Sequence, residues 1–115
     1  MKIDKTLMSG STTLLVLSLL TDGEKYGYEM TSELERRSDG TFTLREGTLY
    51  PLLHTLENSG YIKSTMRQAP NGRDRKYYRL TKKGAVLLDE KAEEWKVFSD
   101  AVNAVITAGA VAAKA

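Results

Sequence analysis

Apolar positions in the first part of the chain recur with a helical period. Between about Thr6 and Thr21, leucine or valine fills positions 14 to 17, 19 and 20, so this predicted helix must be covered on more than one side. "TDGEKYG" breaks it. A second helix from about Tyr26 to Arg37 carries Met30 and Leu34 at i,i+4, with Glu29, Glu33, Glu35 and Arg36 turned outward. "SDG" at 38–40 ends that helix as a turn, and "TFT" at 41–43 reads as a short strand. A third helix follows in "TLREGTLYPLLHTLENSG", where Thr43 and Glu46 have the spacing of a capping box. Leu49, Leu52, Leu53 and Leu56 fall on one face of it, which leaves Thr48, Tyr50, Pro51, His54 and Thr55 on the other. Pro51 lies in the first or second turn, where a missing amide costs least, and Asn58 with Gly60 supplies the stop.

The period then changes from helical to alternating. In "YIKSTMR", Ile62, Ser64 and Met66 oppose Tyr61, Lys63, Thr65 and Arg67; in "RKYYRL", Lys76, Tyr78 and Leu80 oppose Arg75, Tyr77 and Arg79. Joined by "QAPNGRD", the two runs predict a hairpin with a long tip, in which Tyr78 faces inward and Tyr77 outward. Of Tyr26 and Tyr28, at least one is expected to pack in the core. Thr81 caps a last helix that runs from about Lys82 past Ile106, with Leu88, Trp95 and Val102 spaced by seven residues. Ala92, Ser99 and Ile106 interleave with them, and Phe98 and Val105 widen the seam. A seven-residue apolar repeat wants a partner helix; the first helix is the natural candidate, in this copy or a second one. The Ala-rich end "TAGAVAAKA" is expected to fray. The chain thus reads as mainly α with a small β hairpin, divided into residues 1–81 and a long dimerisation helix with its tail, 82–115.

Charge sharpens this picture. Over all 115 residues the net charge is only +2, but residues 1–60 hold 6 Lys/Arg against 9 Asp/Glu, residues 61–83 hold 8 against 1, and residues 84–115 hold 3 against 5. Such a cation block marks a surface that meets a polyanion, with a solvated face as the plainer alternative. No cysteine is present, which removes disulfides and thiolate metal sites and fits a reducing cytoplasm. The apolar run at 14–20 is shorter than the ~20 residues that span a bilayer, so no membrane partner is expected. His54 is the sole histidine, with Glu57 the nearest carboxylate at helical spacing; "DEKAEE" at 89–94 has no matching second cluster. No catalytic constellation, metal site or cofactor site is expected.

Helix, helix, short strand, outward-polar helix and basic hairpin is the order of a winged helix-turn-helix, with the third helix in the major groove and the hairpin along phosphates. Arg73, Arg75, Lys76 and Arg79 suit phosphates because they replace condensed counterions. Lys63 on the same hairpin and His54 on the free helix face are further DNA candidates. The competing reading is a winged-helix module that grips an acidic protein with the same cations.

"YGYEM" at 26–30, "EGTLYPLLHTLENSGYI" at 46–62 and "GRDRKYYRLTKKG" at 72–84, in this order and spacing, resemble the signatures of the PadR family of bacterial transcriptional regulators. The resemblance covers about residues 10–107. With one helix after the wing, the chain is similar to the short subgroup that includes repressors of multidrug transporter genes. The resemblance implies a homodimer whose last helix packs on the partner's first helix, which would involve Leu14, Leu17, Leu88, Val102 and Ile106. It implies that Thr48, Tyr50, Lys76 and Tyr77 help hold double-stranded DNA. Arg45 departs from the family, standing where a small capping residue is common, and is a candidate phosphate contact instead. An aromatic at helical spacing is most often core, but in the subgroup a tryptophan at the place of Trp95 faces its mate and sandwiches flat aromatic effectors. Ala92 and Phe98 would line that pore.

Overall fold

The segment expected as one helix from about Thr6 to Thr21 forms two. In the computed structural model, which describes residues 1 and 3–114, α1 spans Lys5–Ser9 and α2 spans Thr12–Leu19. Asp4 caps α1 by accepting the Thr6 N–H at 2.8 Å. The break falls where Gly10 and three hydroxyl residues are adjacent: Ser9 donates to the Thr6 carbonyl, and Ser11 and Thr12 donate to that of Met8. These local bonds compete with the helical ladder and turn the chain. α2 then packs against both α3 (Gly27–Arg37) and the last helix. Its Val16, Leu17 and Leu19 are buried in the core, which Met30 and Leu34 of α3 share.

α3 starts at Tyr26, whose N–H donates to Glu29 Oε1 at 3.1 Å. It ends with Asp39 in the left-handed region (φ 51°), where the Gly40 N–H reaches back to the Glu35 carbonyl at 2.7 Å. Residues 41–43 form no strand. The third strand is β1, Lys25–Tyr26, just before α3. It takes the free edge of β3 (Asp74–Leu80), whose other edge pairs with β2 (Ile62–Gln68), giving the order β1-β3-β2. Two residues carry no period of their own, so β1 exists because β3 offers it a ladder.

α4, Glu46–Asn58, is capped by Arg45 instead of the expected Thr43: the Arg45 carbonyl accepts from Thr48 and Leu49, and no side chain caps the helix. Leu49, Leu53 and Leu56 are buried beneath it, and Pro51 is accommodated inside the helix. Its end has the paired bonds of a Schellman motif, Gly60 N–H to Glu57 and Tyr61 N–H to Leu56, with Gly60 at φ 82°. In the antiparallel hairpin Ile62 faces Leu80 and Ser64 faces Tyr78, and this face closes the core.

α5 runs Lys82–Lys114. Thr81 Oγ1 accepts the Gly84 N–H at 3.0 Å, as expected for its cap. Leu87 and Leu88 pack on the core; beyond them the helix leaves the body, and the molecule measures 65 × 29 × 22 Å. The fraying expected in "TAGAVAAKA" is not seen: the helix continues to Lys114. One 18-residue window of α5 reaches a mean hydropathy of 1.2 and is unburied, so by length and composition this helix also resembles a membrane span, which is a weak sign.

Candidate nucleic-acid interface

Packing Leu49, Leu53 and Leu56 inward fixes what α4 presents outward. Thr48, Tyr50, Pro51, His54 and Thr55 are all exposed. His54 Nε2 lies 3.1 Å from Asn58 Nδ2 and meets no carboxylate, because Glu57 turns to the wing. Tyr50 leans over Gly27 at the start of α3, and a Cβ there would lie 2.6 Å from the Tyr50 hydroxyl. Gly27 thus lets the two helices of the motif close on each other.

Between α4 and the hairpin lies an open cleft of about 500 Å³, bordered by Tyr26, Tyr50, His54, Arg75, Lys76 and Tyr78 among others. Four of the sequence candidates, Tyr50, His54, Arg75 and Lys76, are therefore brought together. Lys76 Nζ stands 3.3 Å from Glu57 Oε1 and 5.6 Å from the centre of the Tyr78 ring. Tyr78 is buried as expected, and burial pushes its hydroxyl pKa up. Glu57 is held below the usual carboxylate range, first by the Ser64 hydroxyl bonded to it.

The alternate positions of the sheet carry a second set, which meets the rim of the cleft at Arg75 and Tyr26. Arg75 stacks 4.4 Å over the Tyr26 ring, Tyr26 meets Tyr77 edge-on with centroids 5.4 Å apart, and Arg67 lies 5.6 Å over Tyr77 while pairing with Glu24. Lys63 and Arg79 face each other across β2 and β3, as do Arg67 and Arg75. Like charges directly opposite cost stability, and stacking and ion pairing offset that cost at Arg67 and Arg75. Contrary to expectation, neither tyrosine that opens α3 joins the core: Tyr26 is half-buried in this stack and Tyr28 is exposed.

The remaining candidates lie apart from the cleft. Arg73 is exposed at the wing tip beside Asn71, Arg45 is exposed at the start of α4, and Thr48 lies one turn further on. Sequence reasoning missed Glu57 as a wing contact and Arg67 as part of the stack; the alternation of β2 placed Arg67 on the face of Tyr77's strand partners, and only the register completes the link.

Trp95 is not a core residue in the single chain: it is 48% exposed, and its ring lies 6.0 Å from that of Phe98. Ala92 is also exposed. Phe98, Ala101, Val102, Val105 and Ile106 form an apolar groove along the outer half of α5. Among the residues expected at a dimer contact, Val102 and Ile106 are open, and Leu14 and Leu88 are half-buried. Leu17 needs correction: it is 0% exposed inside the protomer, so it belongs to the core and not to a surface a second chain reaches.

Residues 16–90 match the Transcriptional regulator PadR-like family. Transcriptional regulator Rv3488 of Mycobacterium tuberculosis is 39% identical over 77 residues, covering 67% of this chain and 68% of that protein. Transcriptional regulator YqjI of Escherichia coli is 30% identical over 95 residues, but the chain spans only 44% of its length. The fold closely follows a transcriptional regulator from Clostridium thermocellum (TM-score 0.79, 33% identity, 86% of this chain and 96% of that one). It also follows a PadR family transcription regulator from Clostridium difficile (TM-score 0.74, 33% identity, 84% and 99%). With a winged helix, a long C-terminal helix and this extent of likeness, the chain belongs to the PadR-like family of transcriptional regulators.

Proposed function

We propose that this regulator is a homodimeric repressor of the cytoplasm, which seats α4 in the major groove and is released by planar aromatic molecules held between the long helices. The observation that carries the reading is the cleft bordered both by the outward face of α4 and by wing cations. With DNA seated across this cleft, Thr48, Tyr50 and His54 reach base edges, Arg73, Arg75, Lys76 and Tyr77 lie along phosphates, and Arg45 and Lys63 meet the flanking backbone. Two such helices roughly 34 Å apart would cover a promoter.

The apolar strip of α5 supports the dimer. It is one-sided, and the same helix carries the ion pairs Lys91–Glu94 and Lys96–Asp100, which suits a protein partner better than a bilayer. A second copy's α5 and the open side of its α2, near Leu14, fit a seven-residue repeat. Trp95 from each copy would then meet near the two-fold axis, where two indoles stack a flat ligand with little directional polarity. Ligand entry would shift the spacing of the wings and so the DNA-competent population.

The test is fluorescence anisotropy on DNA flanking the protein's own gene against scrambled DNA of equal length, across a salt series, with light scattering for the dimer. A preference that persists as salt rises supports the reading. Equal affinities that vanish together near physiological salt favour the protein-interaction module instead.

A further inference from the structure

The join between α4 and the wing is not a plain cradle of cations. Glu57, in the last turn of α4, has its two oxygens in different service. Oε2 accepts both the backbone N–H of Ser64, at 2.8 Å, and the Ser64 hydroxyl. Both donors belong to β2, so the carboxylate is fixed whether or not Lys76 is present. Oε1 faces Lys76 Nζ at 3.3 Å, longer than the ~2.8 Å of a well-formed charge-assisted bond. The lysine side chain is 48% exposed and the glutamate 27% exposed. A fixed anion and a loosely paired, half-exposed cation therefore stand together at the wall of the cleft.

We propose that Glu57 is an internal counter-ion that competes with DNA phosphate for Lys76, so that Lys76 is released to the backbone only when α4 is seated in its site. This rests on the DNA reading above. In the free protein an approaching phosphate meets a neutral pair at this point, so Lys76 adds little to sequence-independent attraction. Base contacts by α4 bring a phosphate close enough to draw the ammonium away, leaving Glu57 held by Ser64. The fixed negative charge left behind opposes any duplex that lacks those base contacts. Asp74 also borders the cleft; it has no ion pair among the described residues, so it repels phosphate without holding a cation and serves as a control.

The experiment uses the full chain, a short duplex of random sequence, and the duplex that the wild type enriches from a random pool, with anisotropy read over a salt series. Glu57→Gln keeps an acceptor for Ser64 and loses the charge. It is expected to bind the random duplex about three- to tenfold tighter, with a salt slope steeper by up to about one. In a Lys76→Gln background the same substitution should leave the slope unchanged and give only the smaller gain that loss of a repelling carboxylate brings, whereas Asp74→Asn should act equally in both backgrounds. An unchanged slope, or an equal gain without Lys76, overturns the proposal. Should Glu57→Gln fail to fold by circular dichroism, Lys76→Gln alone decides. It is expected to weaken binding to the enriched duplex more than to the random one; equal loss on both overturns the proposal. Wild-type protein that binds no duplex overturns the DNA reading and this inference with it, while wild-type binding with an unaffected Glu57→Gln overturns this inference alone.

Discussion

Gly84, in the first turn of α5, lies so close to the Tyr61 carbonyl oxygen that a Cβ on it would collide with that atom and crowd Leu80 Cδ1 at 2.9 Å. The obstacle is backbone, held by Thr81, whose N–H and hydroxyl both reach the Tyr61 carbonyl. It cannot move aside as a side-chain tip would. Gly84→Ala should therefore destabilise the fold by about 3 kcal/mol, at the upper end of overpacking costs, read as a lower urea midpoint. An unchanged midpoint would mean that α5 is not docked this tightly on the wing.

Gly47 predicts the opposite sign. It sits exposed in the first turn of α4, lacks positive φ, and has nothing within 4 Å of where a Cβ would be. Nothing within the protein requires glycine there. Gly47→Ala should stabilise the chain by about 0.5–1 kcal/mol through helix propensity. If α4 enters the major groove, the added methyl meets DNA, and affinity for the specific duplex should fall as stability rises. Unimpaired binding by the stabilised variant would place the start of α4 away from the DNA.

The turn between α2 and β1 predicts a pH dependence. Lys25 donates to Asp22 at 2.6 Å, Arg37 bridges Asp22 and Glu33, and Arg36 also holds Glu33. The bonded Lys25 lowers the Asp22 carboxyl from 3.8 to about 2, and Arg36 followed by Arg37 lowers Glu33 from 4.5 to about 2. Because the folded values are the lower ones, these pairs stabilise the fold fully above the unfolded values. The contribution is lost as pH falls from about 4.5 towards 2. Melting temperatures of the wild type and Asp22→Asn should differ at neutral pH and converge near pH 2. A constant offset down to that pH would show that the pairs contribute nothing.

Arg75 lies over the Tyr26 ring, so its guanidinium is held in place before any phosphate arrives. Arg75→Ala should lower the salt slope of DNA binding by about 0.9, one phosphate contact. Tyr26→Leu should leave the slope alone and weaken affinity, because the charge remains while its orientation is lost. Equal slopes for Arg75→Ala and the wild type would move the phosphate contact elsewhere on the wing.

How much of this was legible in the sequence follows from the range of each interaction. α3, the buried face of α4 and the alternation of the hairpin announce themselves by period, and the inward turn of Tyr78 follows from parity along β3. The break at Gly10 is missed when the dense leucine run that begins at Leu14 is extended back across Ser9–Thr13, a polar stretch whose hydroxyls bond locally and turn the chain. Strand β1 was not legible: Lys25 and Tyr26 are a strand only because Tyr78 and Tyr77 pair with them. Glu57 looked like a possible partner for His54, three residues away, but bonds to Ser64 and Lys76 across the wing. Leu17 shows a further limit: period marks it apolar and covered, without saying whether the cover is its own chain or a second one.

Trp95 carries the last prediction because it is the sole tryptophan, it is open in the protomer, and Phe98 lies beside it. A flat fluorescent aromatic cation should bind the wild type and quench its indole emission. Trp95→Ala should weaken that binding at least about tenfold, equivalent to about 1.4 kcal/mol, with DNA affinity and dimer mass unchanged. Val102→Asp with Ile106→Asp places charge in the groove of α5 and should instead yield monomers that lose both the dye and the DNA. The two variants separate the pore from the interface: loss of dye in both, with loss of DNA only in the second, is the expected pattern. Retained dye affinity in Trp95→Ala would remove the aromatic pore from the mechanism and leave α5 as a dimerisation helix alone.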